Sequence, residues 1–540
     1  MAPEVLAPGP LPEEFGSSPL PKPNRIASGR WVFLGSMSGK TLQILANVAL
    51  ARILGPANFG LFGLANTAAV SLAGLVGFGL DGAVNKFIAE YYRRWPEKGR
   101  SFASLIIWAS LVMSVMVFTA LWFVREAWVL RFFPANASAY SVSVCLILAW
   151  SYILLTLWNN VLTGLQLFRE IAILGTIQLS LMGLIGLRMG ITNGIHGALT
   201  GYVLSALICV ILGAGMIWRI DRHLFDRPHD VPWADIKAIF HFSFPAWLGY
   251  FTVGPVTTMA LSFLGKQPHG LAHMGYFDTA TSGKFIIGIL PAVVTTVLGP
   301  ALIEESGACG HPAVLNELLR KSLTAITFLT IPVLIPALFW SDLLGVIYGR
   351  LYIHSIEVYI PLASSFALSL ISIPIFLVMV GRNKIWTLQT FSFLYGLLLF
   401  GLARWWIPGF LSIGLSWAFF AAQVAFNVSL YEFGVLKGYV PSANRAKYYA
   451  FHGWVMLIHA LAWVIPRTGR WALAIPLCTL WTVLYSLRNP MAVEWGIATV
   501  PRSLQPIMRR ALSAFFNQFP RTGFFSVLSS RLDHPIEILP

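Results

Sequence analysis

Charged side chains inside long apolar runs are costly to bury, so they mark candidate functional positions by default. Here Lys40, Asp81, Asp278 and Lys284 stand out. An ammonium held in low dielectric suits a phosphate, and a carboxylate there can carry a proton or pair with an ammonium. Lys40 sits well inside the first apolar run, roughly mid-depth at about 1.5 Å per residue. Asp81 lies a similar distance from the far end of the second run and could pair with it. Lys284 is equally deep in a later run. Asp278 precedes it by a spacing that places the two on different helix faces, so Lys284 is expected to face a cavity or another helix. Lys86 and Glu90 lie near a run end, where long side chains snorkel. Arg52 and Arg188 sit at the opposite ends of their runs. Asn47, Asn66, Asn85 and Gln178 could hydrogen-bond a substrate or join helices. The expected substrate-contacting set is therefore Lys40, Lys284, Asp81, Lys86, Arg52, Asn66 and Asn85. The expected ion-coupling carboxylates are Asp81 and Asp278.

Other chemistry has no signature. No phosphate-binding glycine loop, no nucleophile elbow and no metal-spaced His/Glu cluster occurs, so neither ATP hydrolysis nor a catalytic cofactor is expected. Cys145, Cys209 and Cys478 fall in apolar runs and Cys309 in a loop, without ligand or disulfide spacing. His196 and His241 read as core or interfacial histidines.

The elements that must position these residues follow from composition. Hydrophobic residues make up 57% of the chain and charged residues 11%, against about 25% charged in soluble domains. This is an integral membrane protein. Fourteen spans of about 20 residues are expected, near 31–53, 59–89, 101–123, 139–164, 170–190, 196–218, 241–264, 276–302, 320–340, 358–381, 385–402, 411–434, 448–465 and 470–487. The net charge of +15 reflects Lys and Arg in alternate loops and not a nucleic-acid surface. One face collects Lys22, Arg25, Arg30, the Arg93–Arg100 cluster, Arg219, Arg222, Lys237, Arg320 and Lys321. The other has Arg52, Arg125, Arg131, Arg188, Lys266, Arg350, Arg404, Arg467 and Arg470. The asymmetry places both termini in the cytoplasm.

Shifting the chain by 215 residues lays Gly60, Phe62, Ala65 and Glu90 on Gly275, Phe277, Ala280 and Glu305. The second and eighth spans run in the same direction, so this is a parallel repeat. The expected organisation is an all-α polytopic membrane protein with two six-helix lobes and two extra helices. Residues 1–29 form a Pro-rich tail, 30–218 the first lobe and 219–240 a cytoplasmic linker. The second lobe follows at 241–434, the extra helices at 435–487 and a basic amphipathic tail, lying against membrane lipid, at 488–540.

One stretch carries a resemblance. Ala51 to Phe62 (ARILGPANFGLF), followed by a Gly-rich run ending in Val84 to Glu90 (VNKFIAE), is similar to the start of polysaccharide (O-antigen type) flippases. These belong to the multidrug/oligosaccharidyl-lipid/polysaccharide exporter superfamily. Phe242 to Trp247, Gly275 to Ala280, Leu290 to Leu302 and Ile347 to Tyr352 resemble equivalent segments, so the likeness covers roughly residues 30 to 435. It implies a transporter, not an enzyme, that carries a polyprenyl-pyrophosphate-linked glycan across the bacterial inner membrane. It also implies partners among polysaccharide polymerases and glycosyltransferases. A multidrug cation antiporter would need more intramembrane carboxylates than lysines, which this chain lacks. A lipid II flippase is a close neighbour. A polytopic polymerase or ligase would need a large outer loop, and the span reading leaves none.

Overall fold

The computed structural model describes residues 25–92, 96–126, 139–226, 232–307 and 311–489. Most of the expected N-terminal tail, Arg93, Arg94, Cys309 and the C-terminal basic segment lie outside the described residues. Within them the chain is helical, without a strand. That is the consequence of apolar composition: with no water to satisfy the backbone, each segment must close its own hydrogen bonds. Among the described residues, eight helices are long and apolar enough to cross a membrane.

Three helices are too long to be single spans. α1 (Arg25–Val76) has 52 residues, about twice the length that a hydrocarbon layer of about 30 Å needs. It breaks at Gly55, whose φ of 71° and ψ of 168° suit glycine. Pro56 follows directly, inside the expected turn between the first two spans. α2 (Leu80–Tyr91), α3 (Pro96–Phe123) and α4 (Ala139–Gly164) follow. α5 (Phe168–Ile220) breaks at Asn193 and Gly194. Its two halves fold back on each other, because a Cβ on Gly201 would strike the Gly186 backbone. The linker then holds a short 3-10 turn (Arg222–Phe225), and α6 (Trp233–Gly265) begins earlier than the expected span. α7 (Gly270–Ser306) runs unbroken through Pro291. α8 (Pro312–Phe339), the short α9 (Leu343–Tyr348) and α10 (Ser355–Gly381) precede α11 (Ile385–Leu436). α11 breaks at Leu411, a left-handed position (φ 50°). α12 (Arg445–Val464) and α13 (Arg467–Arg488) close the described chain.

The chain divides into two compact units. The first contains the described residues of Met1–Asn47, Ala68–Trp128 and Ser138–Tyr250. α4 packs on α5 and α2, and α2 on α3. Gly164 lets the chain approach Asn85 and Ile88, and Gly213 makes room for Trp158. Tyr202 donates a hydrogen bond to Asn47 (2.9 Å). At one end Asp221, buried, accepts from Tyr92 (2.5 Å), from Nε of Arg100 (2.7 Å) and from the His223 amide (3.0 Å). Burial alone would raise the Asp221 pKa, but these three donors outweigh it and hold the carboxyl below its usual range.

The second unit contains Val48–Thr67 and the described residues beyond Phe251. α7 packs on α10 and α8, α10 on α11, and α13 on α8. Here a polar knot replaces apolar packing. Asn427 of α11 donates to the Leu368 carbonyl of α10 (2.7 Å) and faces Nε2 of His452 on α12 (3.1 Å). Its amide oxygen accepts from Gln423 (2.8 Å) and its backbone carbonyl from the Tyr448 hydroxyl (3.0 Å). Nδ1 of His452 reaches the Tyr448 carbonyl at 2.9 Å, which makes Nδ1 the donor and leaves Nε2 to accept.

Candidate functional site

α7 carries two of the charged candidates of the second unit, Asp278 and Lys284. Lys284 is half-buried, with Nζ 5.9 Å from the ring of Phe285 and 5.8 Å from that of Phe366 on α10. Two aromatic faces stabilise an ammonium that has lost part of its water. Asp278, also half-buried, points elsewhere, onto the backbone of Gly63. The expected separation of faces is what the structure has, although the two groups remain within electrostatic reach. The hydroxyls of Tyr348 and Tyr352 also lie in the field of Asp278.

The residues between 48 and 67 form the other wall of this region. Arg52 spends its fork on the end of α9, with Nε donating to the Ile347 carbonyl and Nη2 to that of Val346 (both 2.8 Å). The positive group thereby caps a helix C-terminus, where carbonyls lack partners. Tyr352 donates to the Ala51 carbonyl (2.7 Å) and meets the edge of Phe59. Asn66 is half-buried in the same segment.

The first-unit candidates are placed separately. Lys40 is exposed on α1 and Asn85 half-buried on α2. Asp81 and Lys86 lie on α2, but their side chains fall outside the described residues, as does that of Glu90, so the expected Lys40–Asp81 pair stays an expectation. His196 is exposed and stacks edge-on with Tyr140 (5.0 Å).

Sequence reasoning passed over an aromatic and histidine cluster just before the eighth span. His273 bonds Ser412 through Nδ1 (2.8 Å) and meets Tyr276 edge-on, and Tyr276 in turn contacts His354 and Tyr352. The rings gave no signal, because aromatic residues are common at span ends. Burial, then the neighbouring His354 and His269, lower the His273 pKa below its usual 6.5. A histidine whose native pKa is depressed stabilises the fold fully above its unfolded pKa and loses that contribution as the pH falls. The expected result is a thermal midpoint that is flat above about pH 6.5 and declines below it. His273→Gln should flatten part of that decline, and an unchanged profile would remove His273 from the account.

Residues 27–306 match the family described as polysaccharide biosynthesis protein. Among solved structures, the chain is similar to a lipid II flippase, MurJ, in an inward closed conformation. The TM-score is 0.64 at 15% identity, over 84% of this chain and 97% of that one. It is also similar to an inward-facing multidrug resistance MATE family transporter of the MOP superfamily, with a TM-score of 0.55 and 16% identity, over 74% of this chain and 96% of that one. A MOP superfamily transporter from Pyrococcus furiosus gives a TM-score of 0.52 and 18% identity, over 79% of this chain and 96% of that one. No curated protein sequence matches. At these identities the likeness shows the fold, that of a multi-pass all-α membrane transporter.

Proposed function

This chain belongs to the polysaccharide biosynthesis protein family, and from that premise we propose that it moves a polyprenyl-pyrophosphate-linked oligosaccharide between leaflets of the bacterial inner membrane. The direction is from the cytoplasmic to the outer leaflet, by alternating access, in the making of a surface polysaccharide. Both termini are cytoplasmic in this reading. Polysaccharide polymerases and glycosyltransferases are its natural partners.

The observation that carries the reading is Lys284, an ammonium inside an apolar helix and flanked by two rings. A pyrophosphate is the part of such a substrate that most needs a counter-charge in low dielectric. Lys40 on α1 supplies a second cation, while Asn66 and Asn85 offer amides to sugars. Asp81 and Asp278 are the places for ion coupling. A multidrug cation carrier of the same fold would use the opposite polarity.

The test follows a labelled polyprenyl-pyrophosphate glycan across proteoliposomes, comparing wild type with Lys40→Ala and Lys284→Ala at equal expression. A charge-assisted contact contributes about 1.5–3 kcal/mol, so Lys284→Ala is expected to slow translocation by roughly 10- to 100-fold. Transport that persists in both variants would remove the cationic site and keep the flippase. No glycan movement, with cation efflux instead, would overturn the proposal. Equal transport of lipid II would widen it to any polyprenyl-pyrophosphate sugar.

A further inference from the structure

The 215-residue shift that pairs Gly60 with Gly275 also pairs Pro56 with Leu271 and Gly63 with Asp278. Within the second unit these two segments lie on one another, and their contacts follow the same pairing. A Cβ on Gly60 would run into the Leu271 carbonyl and the Gly275 amide; a Cβ on Gly275 would run into the Pro56 carbonyl. Gly60 on Leu271 and Gly275 on Pro56 are one contact made twice, with the two segments exchanging roles. Such reciprocity is what a two-fold axis between two segments produces. Gly63 then meets its own equivalent, and there the symmetry is broken. The Asp278 carboxylate takes the place of the side chain that Gly63 lacks, with Oδ2 2.5 Å from where a Cβ would stand. Helices approach this closely only where one side offers bare backbone.

We infer that Pro56–Gly63 and Leu271–Asp278 form a latch of repeat-equivalent positions, its last space filled by one side chain that either segment could supply. Arg52 on the end of α9 and Tyr352 on Ala51 fasten the same tip. The latch holds Val48–Thr67 in the second unit and parts during transport, a role that rests on the transporter reading. Asp278 is thus a positioning residue for the tip.

The symmetry makes an unusual demand on mutants. Hydrogen exchange of peptides covering 48–67 would be measured in the full-length protein in lipid nanodiscs, beside the translocation assay. Asp278→Gly leaves a gap and Gly63→Asp puts a second carboxylate into an occupied space. Each is expected to raise exchange roughly tenfold, as local opening becomes easier. Combining them moves the carboxylate from one segment to the other, and the double variant should return to within about threefold of wild type. Asp278→Asn keeps the shape and should keep the protection. A double variant as exposed as Gly63→Asp alone would overturn the latch. So would Asp278→Asn exchanging like Asp278→Gly, since the contact would then be one of charge with Lys284. If exchange behaves as expected but the wild type moves no glycan lipid, the latch stands and the proposed substrate falls.

Discussion

Replacing Asp221 by alanine is expected to destabilise the first unit by about 3 kcal/mol, towards the low end of what breaking a buried ion pair costs. The carboxylate is buried and serves three donors on three stretches of chain: Tyr92 after α2, Arg100 at the start of α3 and the His223 amide after α5. Without it, Tyr92 and Arg100 lose their acceptor in a place that water reaches poorly. The Arg100 side chain is 32% exposed, so water recovers some of the loss, which is why the larger values in that range are not expected. Asp221→Asn should fall between the two, because an amide oxygen still accepts while its NH2 opposes the guanidinium. Since the native pKa is depressed, this contribution is complete above the ordinary carboxylate pKa and is lost as the pH falls from there through the lower native pKa. Thermal unfolding of the three proteins between pH 3 and 7 in mild detergent would check this. Alanine and wild type melting together at neutral pH would show that the triad holds nothing.

Asn427→Leu is expected to cost about 2–4 kcal/mol and to free α12 from α10 and α11. Each orphaned polar partner in an apolar setting costs about 1–3 kcal/mol, although interhelical bonds in membranes average nearer 0.6. Leucine keeps the branched shape and is larger, so no cavity opens, and the lost polar partners, with some overpacking, decide the outcome. Gln423, His452 and the Leu368 carbonyl would each be left without Asn427. Because the network shares one hub, Gln423→Leu on top of Asn427→Leu should add little, a non-additivity that independent sites would not show. A single cysteine placed on α12 and labelled with a maleimide would report its release. Additive losses, or an α12 that stays protected, would mean that the knot is incidental.

Much of the architecture could be read from residue types, and the limits have physical causes. Gly55 with Pro56, and Asn193 with Gly194, are turn chemistry, so these two breaks fell where spans were expected to end. The break at Leu411 gives no such warning: leucine disfavours positive φ, and only Pro408 and the room that Gly414 leaves beside Trp406 accompany it. Asp278 and Lys284 were visible because charge is rare in apolar runs. The Asn427 knot was passed over because amides are common enough in spans to read as ordinary helix-to-helix contacts. Asp221 falls in the 219–240 linker, where charge is ordinary, and its value lies in Tyr92 and Arg100, more than a hundred residues away. The grouping of Val48–Thr67 with the second unit depends on long-range packing that no local pattern encodes, although the Gly60–Gly275 match was already present in the shifted sequence.

That grouping has a consequence for how the protein is made. Arg52 caps an α9 carbonyl 295 residues further along the chain. At about 5–20 residues per second, the tip of α1 emerges some 15–60 s before its partners exist. During that interval its glycine faces and the Arg52 guanidinium stand unmatched. The last turn of the N-terminal hairpin therefore settles only when the second half of the chain is synthesised, so an early segment waits for a late one.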